Sequence, residues 1–238
     1  MNDEALPERT TKNLTKLRLK AISSVLFLVA GLGALIFLPA WTLNYWQAWV
    51  LLAVYGGANL AIIVALMVTD LRLLERRMQG GPTAEQRPVQ KMVMAIASLG
   101  FVAIFVVSAL DHRFGWSSMP LPVEIAGDVL VAAGFLIIFF VFRVNTFTSS
   151  TVEIAEGQEV ITTGPYAIVR HPMYSGSFLY MVGVPLALGS WWGLVVLLVM
   201  FFTAPSRLFD EEHMLEQSLP GYKEYEQKVH YRLVPYLW

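Results

Sequence analysis

A long apolar segment without any charged side chain is the feature that most constrains the fold of this chain. It runs from Ala21 to Thr69, and a helix needs only about 20 apolar residues to cross the hydrocarbon core of a membrane. The segment therefore predicts two membrane-spanning helices. Between them lies Pro39, followed by the polar and aromatic residues expected in a turn at the lipid headgroups, namely Trp41, Asn44, Tyr45, Trp46 and Gln47.

Three further apolar segments follow this pair along the chain. Residues 92–110 predict a third span, and residues 123–142 predict a fourth, with Glu124 and Asp128 only near its start, where they can reach the interface. The last segment, residues 173–206, is uncharged, too long for one comfortable crossing and short for two full ones. We predict that it forms a tight helical hairpin whose turn contains Gly189, Ser190, Trp191 and Trp192.

The composition is that of a membrane protein rather than of a soluble domain. Of the 238 residues, 56% are apolar and only 15% are charged, and the mean hydropathy is +0.56. The predicted fold is all-α, a polytopic membrane helix bundle of about six membrane segments. The chain contains no cysteine, which excludes disulfides, thiolate metal sites and a cysteine nucleophile. The formal net charge of −1 gives no indication of nucleic-acid binding.

The distribution of Lys and Arg predicts the orientation in the membrane. On this six-segment plan every Lys and Arg except Arg113 lies on one side, and basic loops remain in the cytoplasm. We therefore predict a multi-pass protein of an inner or plasma membrane with both termini cytoplasmic. Residues 1–20 form a cytoplasmic amino-terminal segment, residues 21–142 four transmembrane helices, and residues 143–238 a carboxyl-terminal region that ends in a cytoplasmic cap.

Polar residues are concentrated in two segments that flank the predicted hairpin, so the hairpin brings them together. The first contains Arg170-His171-Pro172. Proline is favoured at the first position of a helix, which predicts a helix start at Pro172. The unpaired amides of a helix start, together with Arg170 and His171, could bind a carboxylate or phosphate. The alternative is that both side chains only anchor the helix at the headgroups.

The second segment contains Glu211 and Glu212 directly after the hairpin, near the expected depth of His171. Carboxylates there suit a positively charged or hydroxyl-rich ligand. A sulfonium cofactor fits both segments, because its carboxylate suits the helix start and its cationic sulfur suits carboxylates and aromatic faces. The alternative is a solvated helix face, on which Arg207 and Glu211 pair at i and i+4.

Short motifs occur in a fixed order between Arg143 and the carboxyl terminus. They are Thr163-Gly164-Pro165-Tyr166, Arg170-His171-Pro172, Tyr174-x-Gly176, Glu211-Glu212-x-x-Leu215 and Gly221-Tyr222-x-x-Tyr225. In order and spacing they resemble the integral-membrane methyltransferases that include isoprenylcysteine carboxyl methyltransferase and the phospholipid N-methyltransferases. The resemblance implies S-adenosylmethionine as cofactor and a lipophilic or lipid-modified substrate that enters from the bilayer, with no metal.

The resemblance also implies roles for individual residues. The residues implied to bind the cofactor are Gly164, Pro165, Tyr166, Arg170, His171, Pro172, Tyr174 and Glu212, and the implied catalytic residues are Arg207 and Glu211. Several relatives carry a histidine before the run that corresponds to residues 159–164. This chain has Gln158 there, so no role of that histidine transfers.

The class of methyl acceptor is open between two alternatives. The resemblance favours the carboxylate of an isoprenylcysteine-like substrate, which Arg207 could hold by two hydrogen bonds without a proton transfer. The alternative is a phospholipid or other amine. An amine must first lose a proton, and Glu211, Glu212 or His171 would be the base.

Other classes of protein are alternatives to a methyltransferase. Membrane sterol reductases that use NADPH resemble the same carboxyl-terminal plan, but typically read H-P-N-Y-x-G-E, whereas this chain has Met173 and Ser177 at two of those positions. A transporter is disfavoured because the membrane segments are expected to contain no buried charge and no interrupted repeat. A non-catalytic scaffold, a helix bundle that only binds a ligand, is a further alternative. The charged segment from Asp70 to Lys91 is expected to be a mobile loop without a chemical role.

Overall fold

The computed structural model describes residues 5–79, 88–148, 158–201 and 204–238, and among them the side chains of 13–78, 91–92, 94–148, 158–201 and 208–238. These ranges are helical, and no strand occurs within them. The helices are α1 (Ala5–Ala40), α2 (Trp46–Thr69), α3 (Leu71–Gln79), α4 (Pro88–Phe114), α5 (Leu121–Val144), α6 (Pro172–Ala187), α7 (Trp191–Phe201), α8 (Ala204–Ser218) and α9 (Tyr222–Lys228). A short 3-10 helix covers Gly164–Ala167.

Four of these helices are long and apolar enough to cross a membrane. They are α2, α5, residues 13–40 of α1 and residues 94–114 of α4. The prediction of an all-α polytopic bundle is therefore confirmed. The turn after Pro39 is confirmed too, because α1 ends at Ala40 and α2 begins at Trp46.

The predicted hairpin is formed by α6 and α7, which are joined at Leu188, Gly189 and Ser190. At 1.5 Å per residue α6 is about 24 Å long and α7 about 17 Å, so each is shorter than the 30 Å hydrocarbon core. As predicted, α6 begins at Pro172, where the missing N–H costs no hydrogen bond.

Close packing against α5 fixes the position of α6. Glycines of α5 lie opposite glycines of α6, so the two backbones approach closely. A Cβ atom added to Gly134 would lie 2.5 Å from the carbonyl oxygen of Gly176, and one added to Gly176 would lie 2.7 Å from that of Gly134. Any larger residue would force the helices apart, so α5 determines where the amino-terminal end of α6 lies.

The expectation of a loop from Asp70 to Lys91 is wrong for its first and last parts, because α3 follows Asp70 and α4 begins at Pro88. Residues 71–79 form α3, which begins with Asp70 accepting the Leu73 N–H at 2.9 Å. Leu73 and Leu74 are fully buried, while Arg72 and Glu75 are exposed. The helix therefore forms because it is amphipathic and packs against the bundle. Residues 80–87 lie outside the described residues.

The expectation that the membrane segments contain no buried charged residue is also wrong. Asp111, near the end of α4, is 1% exposed, and Glu124, in the first turn of α5, is 7% exposed. Glu124 is not exposed at the surface of the bundle but accepts a hydrogen bond from the Gln47 side chain at 3.1 Å. Both acids are tolerated because neighbouring polar groups donate to them, which is the requirement for burying a carboxylate.

Candidate functional site

The hairpin brings the two polar segments that flank it into contact, as predicted from their positions in the sequence. His171 is the residue before the first turn of α6, but its side chain does not cap that helix. Its ring Nε2 instead lies 3.2 Å from Glu212 Oε1 on α8. Both side chains are buried, at 4% and 5% exposure. The start of α6 is therefore tied directly to the acidic pair.

Glu212 is the centre of a buried ion-pair network. Arg170 Nη2 lies 3.1 Å from its Oε1, and Arg232 donates from Nε to its Oε2 at 2.8 Å. Arg170 also pairs with Glu226 of α9 through its other terminal nitrogen. Burial alone would raise the pKa of Glu212, but hydrogen bonds from His171 and Arg232 and the charge of Arg170 lower it overall. Glu212 is thus a buried carboxylate that holds three elements together.

Glu211 has a different environment from its neighbour. Its Oε2 accepts a hydrogen bond from the Tyr174 hydroxyl at 2.6 Å, which links α8 to the first turn of α6. Glu211 lines a cavity, whereas Glu212 is not among the residues that line it. The acidic pair is therefore divided, with Glu212 in the ion-pair network and Glu211 exposed to a space that a ligand could enter.

The carboxyl-terminal tail closes one side of the site through its backbone. The amide of Arg170 donates to the Tyr231 carbonyl at 2.8 Å, and the amide of His171 donates to the Arg232 carbonyl at 2.9 Å. The Ser175 hydroxyl donates to the Leu233 carbonyl at 2.6 Å. These bonds hold residues 231–233 against the start of α6.

A group of tyrosines forms another wall. The Tyr225 hydroxyl donates to the Tyr166 carbonyl at 2.7 Å, and the Asn145 amide donates to the Tyr166 hydroxyl at 2.8 Å. Burial raises the pKa of Tyr166 to about 12 and raises those of Tyr222 and Tyr225 further. All three hydroxyls are therefore neutral near pH 7 and can donate hydrogen bonds.

These residues surround a cavity of about 310 Å³, which is at the lower end of the range for small-molecule sites. Of the residues predicted for the site, those that line the cavity are Tyr166, Arg170, His171, Pro172, Tyr174 and Glu211. Gly164 and Pro165 are not among the residues that line the cavity. They belong to the 3-10 helix, where Gly164 has a φ of +59° and faces Val144. The side chain of Arg207 lies outside the described residues, although its backbone belongs to α8.

The predicted site did not include several residues of the cavity wall, and Arg77 and Asn145 are two of them. Asn145 lies directly after α5. Arg77 lies on α3, a segment that was predicted to be a loop. The signal that could have found Arg77 is the amphipathic pattern of α3, with Leu73 and Leu74 on its buried face. A basic residue near such a face lies at the edge of the core.

Two buried polar atoms at the cavity test whether it fits an anionic, hydroxyl-bearing ligand. Among the described residues, Arg170 Nε and the Tyr222 hydroxyl have no hydrogen-bond partner. Buried polar atoms normally have one, because an unmade hydrogen bond costs about 1–3 kcal/mol. Both residues line the cavity and both atoms can donate. The donor set therefore fits a ligand that carries a carboxylate or hydroxyl groups.

The fold and this cavity together define a polytopic helical membrane protein with a cavity near its carboxyl-terminal end. Comparison with known proteins shows that residues 123–220 match the model of the phospholipid methyltransferase family. This segment, which is less than half of the chain, is similar to that family of integral-membrane methyltransferases. The resemblance found in the sequence is thus confirmed for a segment that includes α5, the hairpin and α8.

Individual relatives are similar over shorter stretches. The chain is 26% identical over 137 residues to the Delta(14)-sterol reductase TM7SF2 of Mus musculus, covering 50% of this chain and 33% of that protein. It is 32% identical over 73 residues to the nickel-cobalt-cadmium resistance protein NccN of Alcaligenes xylosoxydans xylosoxydans, covering 30% of this chain and 34% of that protein. The matches thus span about one third of each of these relatives.

Proposed function

We propose that this protein is an S-adenosylmethionine-dependent methyltransferase of a lipophilic acceptor, with its site on the cytoplasmic side of the membrane. The observation that carries the proposal is the cavity between the start of α6 and α8. It combines unpartnered donors on Arg170 and Tyr222 with the carboxylate of Glu211. The match of residues 123–220 to a methyltransferase family supports the same chemistry.

The residues of the cavity suit the two ends of such a cofactor. Arg170 and the first turn of α6 would hold its carboxylate, because a helix start and a guanidinium both favour an anion. Glu211 and the Tyr222 hydroxyl would hold its ribose hydroxyls or its positive charge. The cofactor would supply a methyl group on a cationic sulfur. The protein would align the acceptor with that group and exclude water.

The most favoured acceptor is the carboxylate of an isoprenylcysteine-like substrate. In that reaction a carboxylate oxygen forms a bond to the methyl carbon while the carbon–sulfur bond breaks, and no proton is transferred. An amine acceptor would need a base. His171 Nε2 contacts Glu212, and Glu211 accepts from Tyr174, so both candidate bases already have hydrogen-bond partners. These contacts favour the carboxylate, while a phospholipid or other amine is the alternative.

Access and orientation follow from the same proposal. Among the described residues, four apolar helices are long enough to span a membrane, so a lipophilic acceptor would reach the cavity from the bilayer. The excess of Lys and Arg on the side of the cavity supports a cytoplasmic site. The Arg207 side chain would contact the acceptor, a role that rests on the family resemblance.

Binding of S-adenosylmethionine to the purified protein, measured by calorimetry, tests the proposal. We expect saturable binding that is weakened about tenfold in Glu211→Gln, because a hydrogen bond to a charged group is lost. Glu224→Gln is the matched control, since Glu224 is exposed on α9. Transfer of label from methyl-labelled cofactor to lipid extracts or prenyl-cysteine compounds would then identify the acceptor.

A second candidate function is an NADPH-dependent sterol-type reductase. It is favoured by the 26% identity to the mouse Delta(14)-sterol reductase over 137 residues. Met173 and Ser177 depart from the H-P-N-Y-x-G-E pattern of those enzymes, which disfavours it. NADPH is therefore titrated in the same experiment. Binding of NADPH without binding of S-adenosylmethionine would overturn the methyltransferase proposal.

A further inference from the structure

The cavity wall includes a basic side chain, that of Arg77, which does not belong to any of the family motifs. Arg77 lines the cavity together with Asn145, yet Arg77 lies on α3, outside the segment 123–220 that matches the family. Neither the motif order nor the family match therefore assigns it a role. Its position in the wall is a property of the folded chain.

The position of Arg77 is fixed from both sides of α3. Leu73 and Leu74 bury one face of this helix completely, and Asp70 accepts the amide of Leu73 at its start. Arg76, the preceding residue, donates to the carbonyl of Thr146, directly after Asn145. This bond fastens α3 to the loop that follows α5. Arg77 is thus held in the cavity wall, on a helix that is fastened to the segment directly after Asn145.

Arg77 marks the part of the cavity that faces the bundle interior. Its guanidinium carbon lies 5.1 Å from the ring centre of Phe142, in the last turn of α5. Burial lowers the pKa of Arg77, but a guanidinium remains protonated in proteins. A fixed, partly buried positive charge therefore lies where the cavity wall meets the last turn of α5.

We propose that Arg77, assisted by Asn145, binds the anionic group of the methyl acceptor and so determines which lipids the enzyme accepts. The inference rests on the proposed methyltransferase function. The planar guanidinium can form two parallel hydrogen bonds to a carboxylate or a phosphate, and a buried cation gains most from an anion in the same site. The acceptor class is thus an amphiphile with an apolar chain and one anionic group.

This assignment has a consequence for product release. When a carboxylate oxygen takes the methyl group, the oxygen loses its negative charge and the sulfur loses its positive charge. The product ester is neutral, so it no longer pairs with Arg77. An anion would be drawn to Arg77 before the reaction, and the uncharged ester would return to the bilayer after it.

Ligand binding in the absence of cofactor tests the proposal. The probes are a farnesyl thioether carboxylic acid, its methyl ester and farnesyl phosphate, titrated into the detergent-solubilised full-length protein with tryptophan fluorescence as the readout. The acid and phosphate differ in the anion and share the chain, so they distinguish a carboxylate from a phosphate. We expect at least one anion to bind about tenfold more tightly than the ester.

Variants then assign the preference to Arg77. Arg77→Met should abolish the preference for the anion, and Arg77→Lys, which retains the charge without the planar fork, should reduce it severalfold. Arg72→Met is the matched control, because Arg72 is exposed on the same helix. Equal preference in the wild type and in Arg77→Lys and Arg77→Met, or no preference in the wild type, would overturn the inference.

The same titrations separate this inference from the proposed function. Arg77→Met should bind S-adenosylmethionine with unchanged affinity, and weakened cofactor binding with intact anion binding would overturn the inference. A wild-type protein that prefers the anion through Arg77 but binds no S-adenosylmethionine would contradict the methyltransferase proposal alone.

Discussion

The two ends of α6 carry buried polar groups that are organised in opposite ways. At its start, Arg170, Tyr222 and Glu211 surround a cavity. At its end lies a second group, the distal cluster, formed by Tyr45, Asp111, Ser117 and Ser190. Asp111 accepts hydrogen bonds from the Ser117 amide at 2.7 Å and from the Ser117 and Ser190 hydroxyls at 2.6 Å. The Tyr45 hydroxyl donates to the Leu188 carbonyl at 2.6 Å.

The comparison distinguishes a structural use of buried polarity from a ligand-binding use. In the distal cluster both carboxylate oxygens of Asp111 accept hydrogen bonds, and the bonds join α4 and its following loop to the hairpin turn. At the start of α6 two buried donors have no partner among the described residues. Polar groups that satisfy one another stabilise a fold. Polar groups that do not satisfy one another beside a cavity predict a ligand.

The largest effect is expected from removing the centre of the ion-pair network. Glu212→Ala would remove one of the two carboxylates that pair with the buried Arg170, and Arg232 would lose its hydrogen bond. Breaking a buried ion pair in this way costs about 3–5 kcal/mol of unfolding free energy. Denaturant unfolding of the protein in detergent measures it. Glu224→Gln, on the exposed face of α9, should leave stability unchanged.

The same network predicts how stability depends on pH. The pKa of Glu212 is lowered in the folded protein from its ordinary value of 4.5. Its stabilising contribution is therefore complete above that value and is lost as the pH falls through the lowered pKa. We expect the melting temperature to decrease in acid, and Glu212→Gln to be less stable at neutral pH but less sensitive to acid. An equally steep acid loss in Glu212→Gln would exclude Glu212 as the titrating group.

A somewhat smaller effect is expected at the distal cluster. Asp111→Ala removes a charged acceptor of three hydrogen bonds and should cost about 2–3 kcal/mol of unfolding free energy. Because the cluster lies at the other end of α6, the affinity for S-adenosylmethionine of the folded fraction should not change. Weakened cofactor binding by correctly folded Asp111→Ala would contradict the division between the two ends.

The smallest effects come from two neighbouring tyrosines and differ in sign. The Tyr225 hydroxyl donates to the Tyr166 carbonyl, so Tyr225→Phe should cost about 1 kcal/mol of stability. The Tyr222 hydroxyl is buried without a partner, so Tyr222→Phe should leave the stability of the free protein unchanged or slightly higher. If a ligand accepts from that hydroxyl, Tyr222→Phe should bind S-adenosylmethionine about fivefold more weakly. Thermal unfolding and calorimetry of the two variants provide the comparison.

Much of the fold could be predicted from local patterns. The uncharged run from Ala21 to Thr69 predicted α1 and α2, and the run from residue 173 predicted the hairpin of α6 and α7. Pro172 predicted the first residue of α6. These predictions succeeded because length, hydropathy and proline geometry act within a single segment. The assignment of the individual site residues, including Arg207, stays a prediction.

The failures concern residues whose environment depends on distant parts of the chain. Glu124 was expected at the interface, but Gln47 on α2 gives it a buried partner. Asp111 is buried because Ser117 and Ser190 donate to it. The helix α3 was expected to be a loop because it contains many charged residues. Its packing depends on only two buried leucines, Leu73 and Leu74. In each case the decisive contact is made by a residue far away in the sequence or by packing that no local pattern contains.

The sequence by itself determined the class of fold, the segments that cross the apolar phase, the hairpin and the ordered motifs of the methyltransferase family. Hydrophobic length and helix-start chemistry are local, so they can be read without coordinates. Only the tertiary structure decided that Glu212 binds Arg170 and Arg232 while Glu211 lines the cavity, and that Arg77 joins the wall. Adjacent residues on a helix point in different directions, and what each meets is determined by how the helices pack.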